Sequence, residues 1–320
     1  MLQAAGSLAA IAVLAVVGLL MARRGLLDDR AVTALKLLVT RVTLPLLLFR
    51  AFLQLEPDGR NAVLAVVVFA ACALMGLAGA GAARVLRLPR PETRLLLQGF
   101  EAGMLGYALF AALHTTARLP AFAALDMGQV VYVFTVLLVQ MKLLEQRRRA
   151  AVGGPGADGP GARVDFPWRD VVASPVLWAI TAGLVLSLAA PGAARGLADA
   201  DGLAAPVFDT VGGLTTPLVC LVIGASLAAG VPRDRAIVAI VGLRLVVGLG
   251  LGLLVALVVV PALGFSEWHA RAALMLFLLP APFVIPVYHR RNPALVGSVL
   301  TLSTAVSVVA VVALTLVGIV

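Results

Sequence analysis

Glu101 stands inside an otherwise apolar run, TRLLLQGFEAGMLGYALF at 93–110, with Gly99, Gly103 and Gly106 around it. An ionisable side chain at membrane depth is costly and by default marks a substrate or ion pathway. A carboxyl there can take up and release a proton, or hold Na⁺ together with unwound backbone carbonyls. A second stretch, LFLLPAPFVIP at 276–286, is equally apolar yet holds Pro280, Pro282 and Pro286. Each proline removes a backbone donor and clashes with the preceding turn, at about 3 kcal/mol inside a helix. Hydrocarbon offers the freed carbonyls no water, so such backbone must line a polar cavity or lie buried in protein. Two broken helices crossing at one point would also aim half-helix N-termini there, and such ends attract anions. Glu101, Gly103, Gly106, Pro280 and Pro282 are therefore the first candidates for binding a substrate or ion.

Other residues join them with alternatives open. Arg41 lies one turn before Pro45, and Arg244 lies well inside a later apolar stretch. Either guanidinium could grip a substrate carboxylate bidentately, pair with Glu101, or snorkel to an interface. In ALDMGQVVYVF at 124–134, Asp126, Gln129 and Tyr132 recur near helical spacing. Asp126, Gln129 and Tyr132 could all face a cavity beside the fourth span; a helix cap for Asp126 and interface anchoring for Tyr132 are the other readings. Ser303, Thr304 and Ser307 suit hydrogen bonds between helices. His114, His269 and His289 lie near span ends, which favours an interfacial role over metal binding. Cys72 and Cys220 sit in apolar segments and read as core residues, with neither disulfide nor metal-ligand spacing. No metal and no cofactor is expected.

The elements that must position these residues are apolar throughout. Of 320 residues, 62% are hydrophobic and 13% charged, against about 25% charged in a soluble domain; the mean hydropathy is +1.06. Ten spans can be read, at about 3–22, 33–53, 61–83, 94–113, 124–143, 171–190, 204–229, 236–260, 270–289 and 294–319. The first follows no basic leader and precedes Arg23 and Arg24, the order of a first membrane helix rather than a signal peptide. Between the fifth and sixth spans, residues 145–170 are rich in Gly, Pro and Ala and read as a flexible linker, with Trp168 at headgroup level. The net charge of +9 reflects orientation: 18 of the 25 Lys and Arg fall on the linker side, five on the other side and two within spans. The positive-inside rule then puts both termini outside and the linker in the cytoplasm. No basic stripe with interleaved aromatics suggests nucleic acid.

The linker separates five spans from five, and an odd-numbered repeat re-enters the membrane inverted. VVGLLMARRGL at 16–26 is similar to TAGLVLSLAAP at 181–191, with Gly18 opposite Gly183. VTLPLLLFRAFL at 42–53 is similar to TTPLVCLVIGASL at 215–227, with Pro45 opposite Pro217. The run containing Glu101 aligns with ARAALMLFLLPAPFVIPV at 270–287, so Gly103–Gly106 faces Pro280–Pro282. The expected fold is an all-α integral membrane protein of ten transmembrane helices, an inverted 5+5 repeat with broken, crossing helices 4 and 9. Its parts are a first repeat at 1–144, the linker at 145–170 and a second repeat at 171–320.

Three stretches carry a family resemblance: GLLMARRGLLDDRAVTALKLLVTRVTLPLLLFRAFL at 18–53, TTPLVCLVIGASL at 215–227 and LLPAPFVIPVYHRRNPALVGSVLTLST at 278–304. The chain resembles the auxin efflux carrier family, which includes plant PIN-type carriers and bacterial malonate and malate carriers. The resemblance implies crossing spans 4 and 9, a scaffold of spans 1, 2, 6 and 7, a moving domain from the rest, and often a homodimer. Many members have Asn where Glu101 stands and Pro where Ala108 stands, whereas the glycines are kept.

The expected function is a secondary transporter of a small organic anion such as a carboxylate in the plasma membrane, coupled to H⁺ or Na⁺ through Glu101. No G-x-x-x-x-G-K-[ST] loop is present to bind ATP. Moving an anion to a positive outside is itself favoured, by about 2.3 kcal/mol per charge per 100 mV. A ten-helix drug or metabolite exporter is the alternative, but such exporters lack paired breaks in spans 4 and 9. A membrane-embedded enzyme would need a nucleophile–base pair or H-E-x-x-H, and GASLA at 224–228 stops short of G-x-S-x-G.

Overall fold

The structure is a computed structural model that describes residues 2–56, 58–151, 174–199, 201–228, 230, 234–289 and 291–319. Trp168, Arg233, Arg290 and the expected linker from 152 onward lie outside the described residues. Among the described residues every regular element is helical, and none is a strand. In chain order these are α1 (Leu2–Arg23), α2 (Asp29–Leu53), α3 (Gly59–Val85), α4 (Arg90–Leu97), α5 (102–114), α6 (116–151), α7 (Pro175–Ala189) and α8 (Pro191–Ala198). They continue with α9 (Ala205–Ala228), α10 (Arg235–Ala262), α11 (Glu267–Leu278), α12 (Ile285–Tyr288) and α13 (Pro293–Leu316). Among the described residues seven helices are long and apolar enough to cross a membrane: α2, α3, the pair α4–α5 taken together, α6, α9, α10 and α13. Shorter apolar helices occupy Ala9–Arg23 and Pro175–Ala189. The ninth expected span, 270–289, is the broken α11–α12.

Two details depart from the sequence reading. The helix beginning at Leu138 continues to Ala151, into the stretch expected as linker. EQRRRAA is made of good helix formers, so nothing local stops it before the Gly-Pro run. In the fourth span the chain unwinds at 98–101, ahead of Gly103 and Gly106, which lie in a π-helical turn, Ala102–Gly106. The residue that permits the break is Gly99, at φ +66°. A Cβ there would also come within 2.8 Å of Val133 Cγ2 and 3.0 Å of Pro282 Cγ.

Small residues set the helix pairs, as expected where lipid is as apolar as the side chains and close backbone approach is what stabilises association. α1 packs along α9, and α7 along the second half of α2. A Cβ on Gly18 would strike the Leu221 carbonyl, and one on Gly224 the Ala15 carbonyl. A Cβ on Gly183 would stand 2.8 Å from the Phe49 carbonyl oxygen. Gly224→Val is expected to lower the thermal midpoint of the detergent-solubilised protein, by the equivalent of about 1–3 kcal/mol of overpacking. An unchanged midpoint would show that α1 and α9 do not depend on this close approach.

Candidate functional site

The two interrupted helices meet where both have lost their regular bonding. The Glu101 N–H donates to the Pro280 carbonyl at 2.8 Å. The Glu101 carboxylate reaches both strands of the crossing: Oε1 accepts from the Met104 N–H at 3.1 Å and Oε2 from the Phe283 N–H at 2.6 Å. Glu101 thus caps the first turn of α5 and ties that turn to the chain just past Pro282.

The carbonyls freed by the breaks are accounted for almost one by one, which is how a polar backbone survives inside the bundle. Pro282 cannot donate to Leu278; Ser307 Oγ on α13 donates to that carbonyl instead, at 2.6 Å. Arg244 on α10 serves most of the others. Its Nη1 donates to Leu96 and Leu97 at 2.8 and 3.0 Å, its Nη2 to Gly99 and Leu279 at 2.6 and 2.9 Å, and its Nε to Leu279 at 3.1 Å. The guanidinium also lies over the Phe100 ring, 5.3 Å from its centroid. It is 3% exposed, and its five N–H donors are all engaged by the carbonyl ends of α4 and α11. In this conformation Arg244 has no donor left over for a substrate carboxylate, and it does not line the cavity at the crossing.

A polar network holds the other side of the break. Gln98 Nε2 donates to the Arg94 carbonyl and to Gln140 Oε1, both at 3.1 Å, and Gln98 Oε1 accepts from Tyr132 Oη at 2.7 Å. The Phe100 N–H donates to Gln129 Oε1 at 3.2 Å, and Gln129 Nε2 donates to Asp126 Oδ1 at 3.1 Å. Tyr107 Oη donates to Asp126 Oδ2 at 3.1 Å. Asp126 is therefore not a helix cap; it lies within Leu119–Tyr132, 2% exposed. Tyr132 is buried beside Phe69 rather than at an interface.

A cavity of about 800 Å³ opens against this crossing. Its wall includes Glu101, Gly103, Asp126, Gln129 and Pro282, together with Lys36 and Arg41 from α2. Thr33, Ser174, Pro175, Ser226, Leu227 and Gly297 also line it, and they come from near the starts of α2, α7 and α13 and the end of α9. The cavity therefore runs from the crossing to the end of the bundle where α7 begins. Of the candidates named from sequence, Glu101, Gly103, Gln129, Pro282 and Arg41 share this wall, and Pro280 joins through its carbonyl. Gly106 does not: a Cβ there would fall 2.6 Å from Phe122 and 2.7 Å from Leu279, so it is a packing glycine. Tyr132 does not either, because its hydroxyl is turned to Gln98. The histidines divide: His269 is within 3.1 Å of Ser266 Oγ, His114 stacks edge-on to Trp268, and His289 is buried 3.8 Å from Glu92. Ser303 and Thr304 bond the Leu300 carbonyl within their own helix, leaving Ser307 as the one of the three that reaches across. Sequence reasoning misses Lys36 and Gln98. Gln98 has a signal, being polar inside an apolar run beside Gly99; Lys36 has none beyond its charge.

Residues 4–153 match the model of a family described as membrane transport protein. The match covers just under half of the chain and is consistent with a transporter of the auxin efflux carrier family. The matched part holds α1 to α6, and so holds Glu101 and the break in α4–α5. No curated protein matches the chain. The family match and the apolar helices together support an integral membrane protein with a transport role.

Proposed function

We propose that this transporter is a ten-span secondary carrier that moves a small organic anion such as a carboxylate through the cavity at the crossing. Glu101 is its coupling residue for H⁺ or Na⁺. The observation that carries this reading is Glu101, bonded to both broken helices on the wall of a cavity that also carries Lys36 and Arg41. A coupling residue must sense the substrate site and the moving backbone together, and Glu101 touches both.

An inverted 5+5 repeat, 1–144 and 171–320 joined by a linker at 145–170, is supported by a reciprocity in packing. In the alignment of the halves Gly18 matches Gly183, and the Pro45–Pro217 register matches Phe49 to Leu221. In space Gly18 abuts the Leu221 carbonyl and Gly183 abuts the Phe49 carbonyl. A pseudo-two-fold relation produces this exchange of partners. With the linker in the cytoplasm, as the positive-inside rule has it, the end of the cavity where α7 begins faces the cytoplasm.

The test is counterflow of labelled mono- and dicarboxylates into proteoliposomes holding the purified full chain, with Na⁺ and pH gradients imposed separately. At least one carboxylate is expected to accumulate above protein-free liposomes under one of the gradients. If none moves under any gradient, the reading fails.

A further inference from the structure

The cavity has two electrical ends. At the crossing, Glu101 and Asp126 face it, 9% and 2% exposed, and the hydrogen bonds to their carboxylates come from uncharged donors: the Met104 and Phe283 N–H groups, Tyr107 and Gln129. A carboxylate offers about four lone-pair sites, and each of these two has two filled, so each has acceptor capacity left. Toward the open end stand Lys36 and Arg41, and among the described residues neither forms an ion pair. The position between half-helix N-termini, where a ligand anion would be favoured, is taken by the chain's own Glu101 carboxylate, which accepts from the Met104 and Phe283 N–H groups. With both carboxyls ionised, a ligand carboxylate placed at that spot would meet two like charges in a desolvated pocket. At Lys36 and Arg41 it would meet two opposite ones.

We infer that the substrate is an amino-carboxylate, bound with its ammonium group toward Glu101 and Asp126 and its carboxylate toward Lys36 and Arg41. This rests on the carrier reading above and sharpens its substrate class from organic anions at large to those that also carry an ammonium group. The ammonium supplies three donors to the free acceptor sites, and the carboxylate takes the bidentate guanidinium of Arg41. A simple dicarboxylate leaves the acidic end unpaired and brings a like charge near it.

The experiment uses matched pairs in proteoliposomes of the full chain: alanine against propionate, aspartate against succinate, glutamate against glutarate. In at least one pair the amino member is expected to be transported about tenfold faster or more, since a site built around polar partners rejects the analogue that lacks them. Asp126→Asn should shrink that ratio toward one, whereas Arg41→Gln should slow both members of the pair. Size-exclusion profiles in detergent establish that each variant is folded. If the des-amino members move as fast as their partners, the inference is overturned while the carrier reading stands. If no member of any pair and no other carboxylate moves, both fall together. If the amino preference survives Asp126→Asn undiminished in a folded variant, Asp126 does not recognise the ammonium and the binding orientation is overturned.

Discussion

Arg244→Met is expected to yield little or no monodisperse protein. The side chain donates to four carbonyls at the ends of the two half-helices, those of Leu96, Leu97, Gly99 and Leu279. Methionine fills similar volume and donates nothing. Each buried carbonyl left without a partner costs about 1–3 kcal/mol, so the four approach the whole margin of about 5–15 kcal/mol that keeps a typical protein folded. Arg244→Lys keeps a positive charge and three donors, but a compact ammonium cannot span carbonyls from α4 and α11 as the planar fork does. It is expected to fall between wild type and Met. Thermal unfolding followed by fluorescence-detected size exclusion measures all three. A Met variant with the wild-type midpoint would mean the crossing is held by other interactions.

Glu101→Gln is expected to cut gradient-driven uptake severely while the protein still inserts and stays monodisperse. The substitution keeps size and one oxygen. It replaces the second oxygen with an amide that donates, so either the Met104 or the Phe283 N–H then faces another donor. That costs about 1–3 kcal/mol locally, well short of unfolding the bundle. The loss of the ionisable group removes the proton or Na⁺ partner outright. Gradient-driven uptake is therefore expected to fall at least about tenfold, a modest demand beside the discrimination that a polar site shows when one partner is missing. Undiminished uptake under the same gradient would remove Glu101 from the coupling role. Glu101→Asp is a useful second variant, because its shorter side chain keeps the charge but loses the reach needed to bond Met104 and Phe283 together.

The sequence alone exposes the broken spans and the costly carboxyl, whose causes are local. Proline lacks an N–H wherever it sits, so Pro280, Pro282 and Pro286 mark a broken span without any coordinates. A carboxyl in an apolar run is costly whatever surrounds it, so Glu101 stands out in the same way. Hydropathy locates the apolar segments because the bilayer acts on each one separately.

The tertiary structure decides the features that depend on partners. Arg244 and its acceptors Leu96, Leu97 and Gly99 are 145–148 residues apart in the chain, and no local pattern says which groups an arginine will meet across that distance. The same holds for Lys36 and Arg41, whose charges matter because α2 brings them to the wall that Glu101 shares. Even the place of the break in the fourth span is settled this way. Gly99, Gly103 and Gly106 have equal freedom as residues. Only Gly99 is pressed between Val133 and Pro282, and only its neighbours Leu96 and Leu97 find a guanidinium ready to take their freed carbonyls.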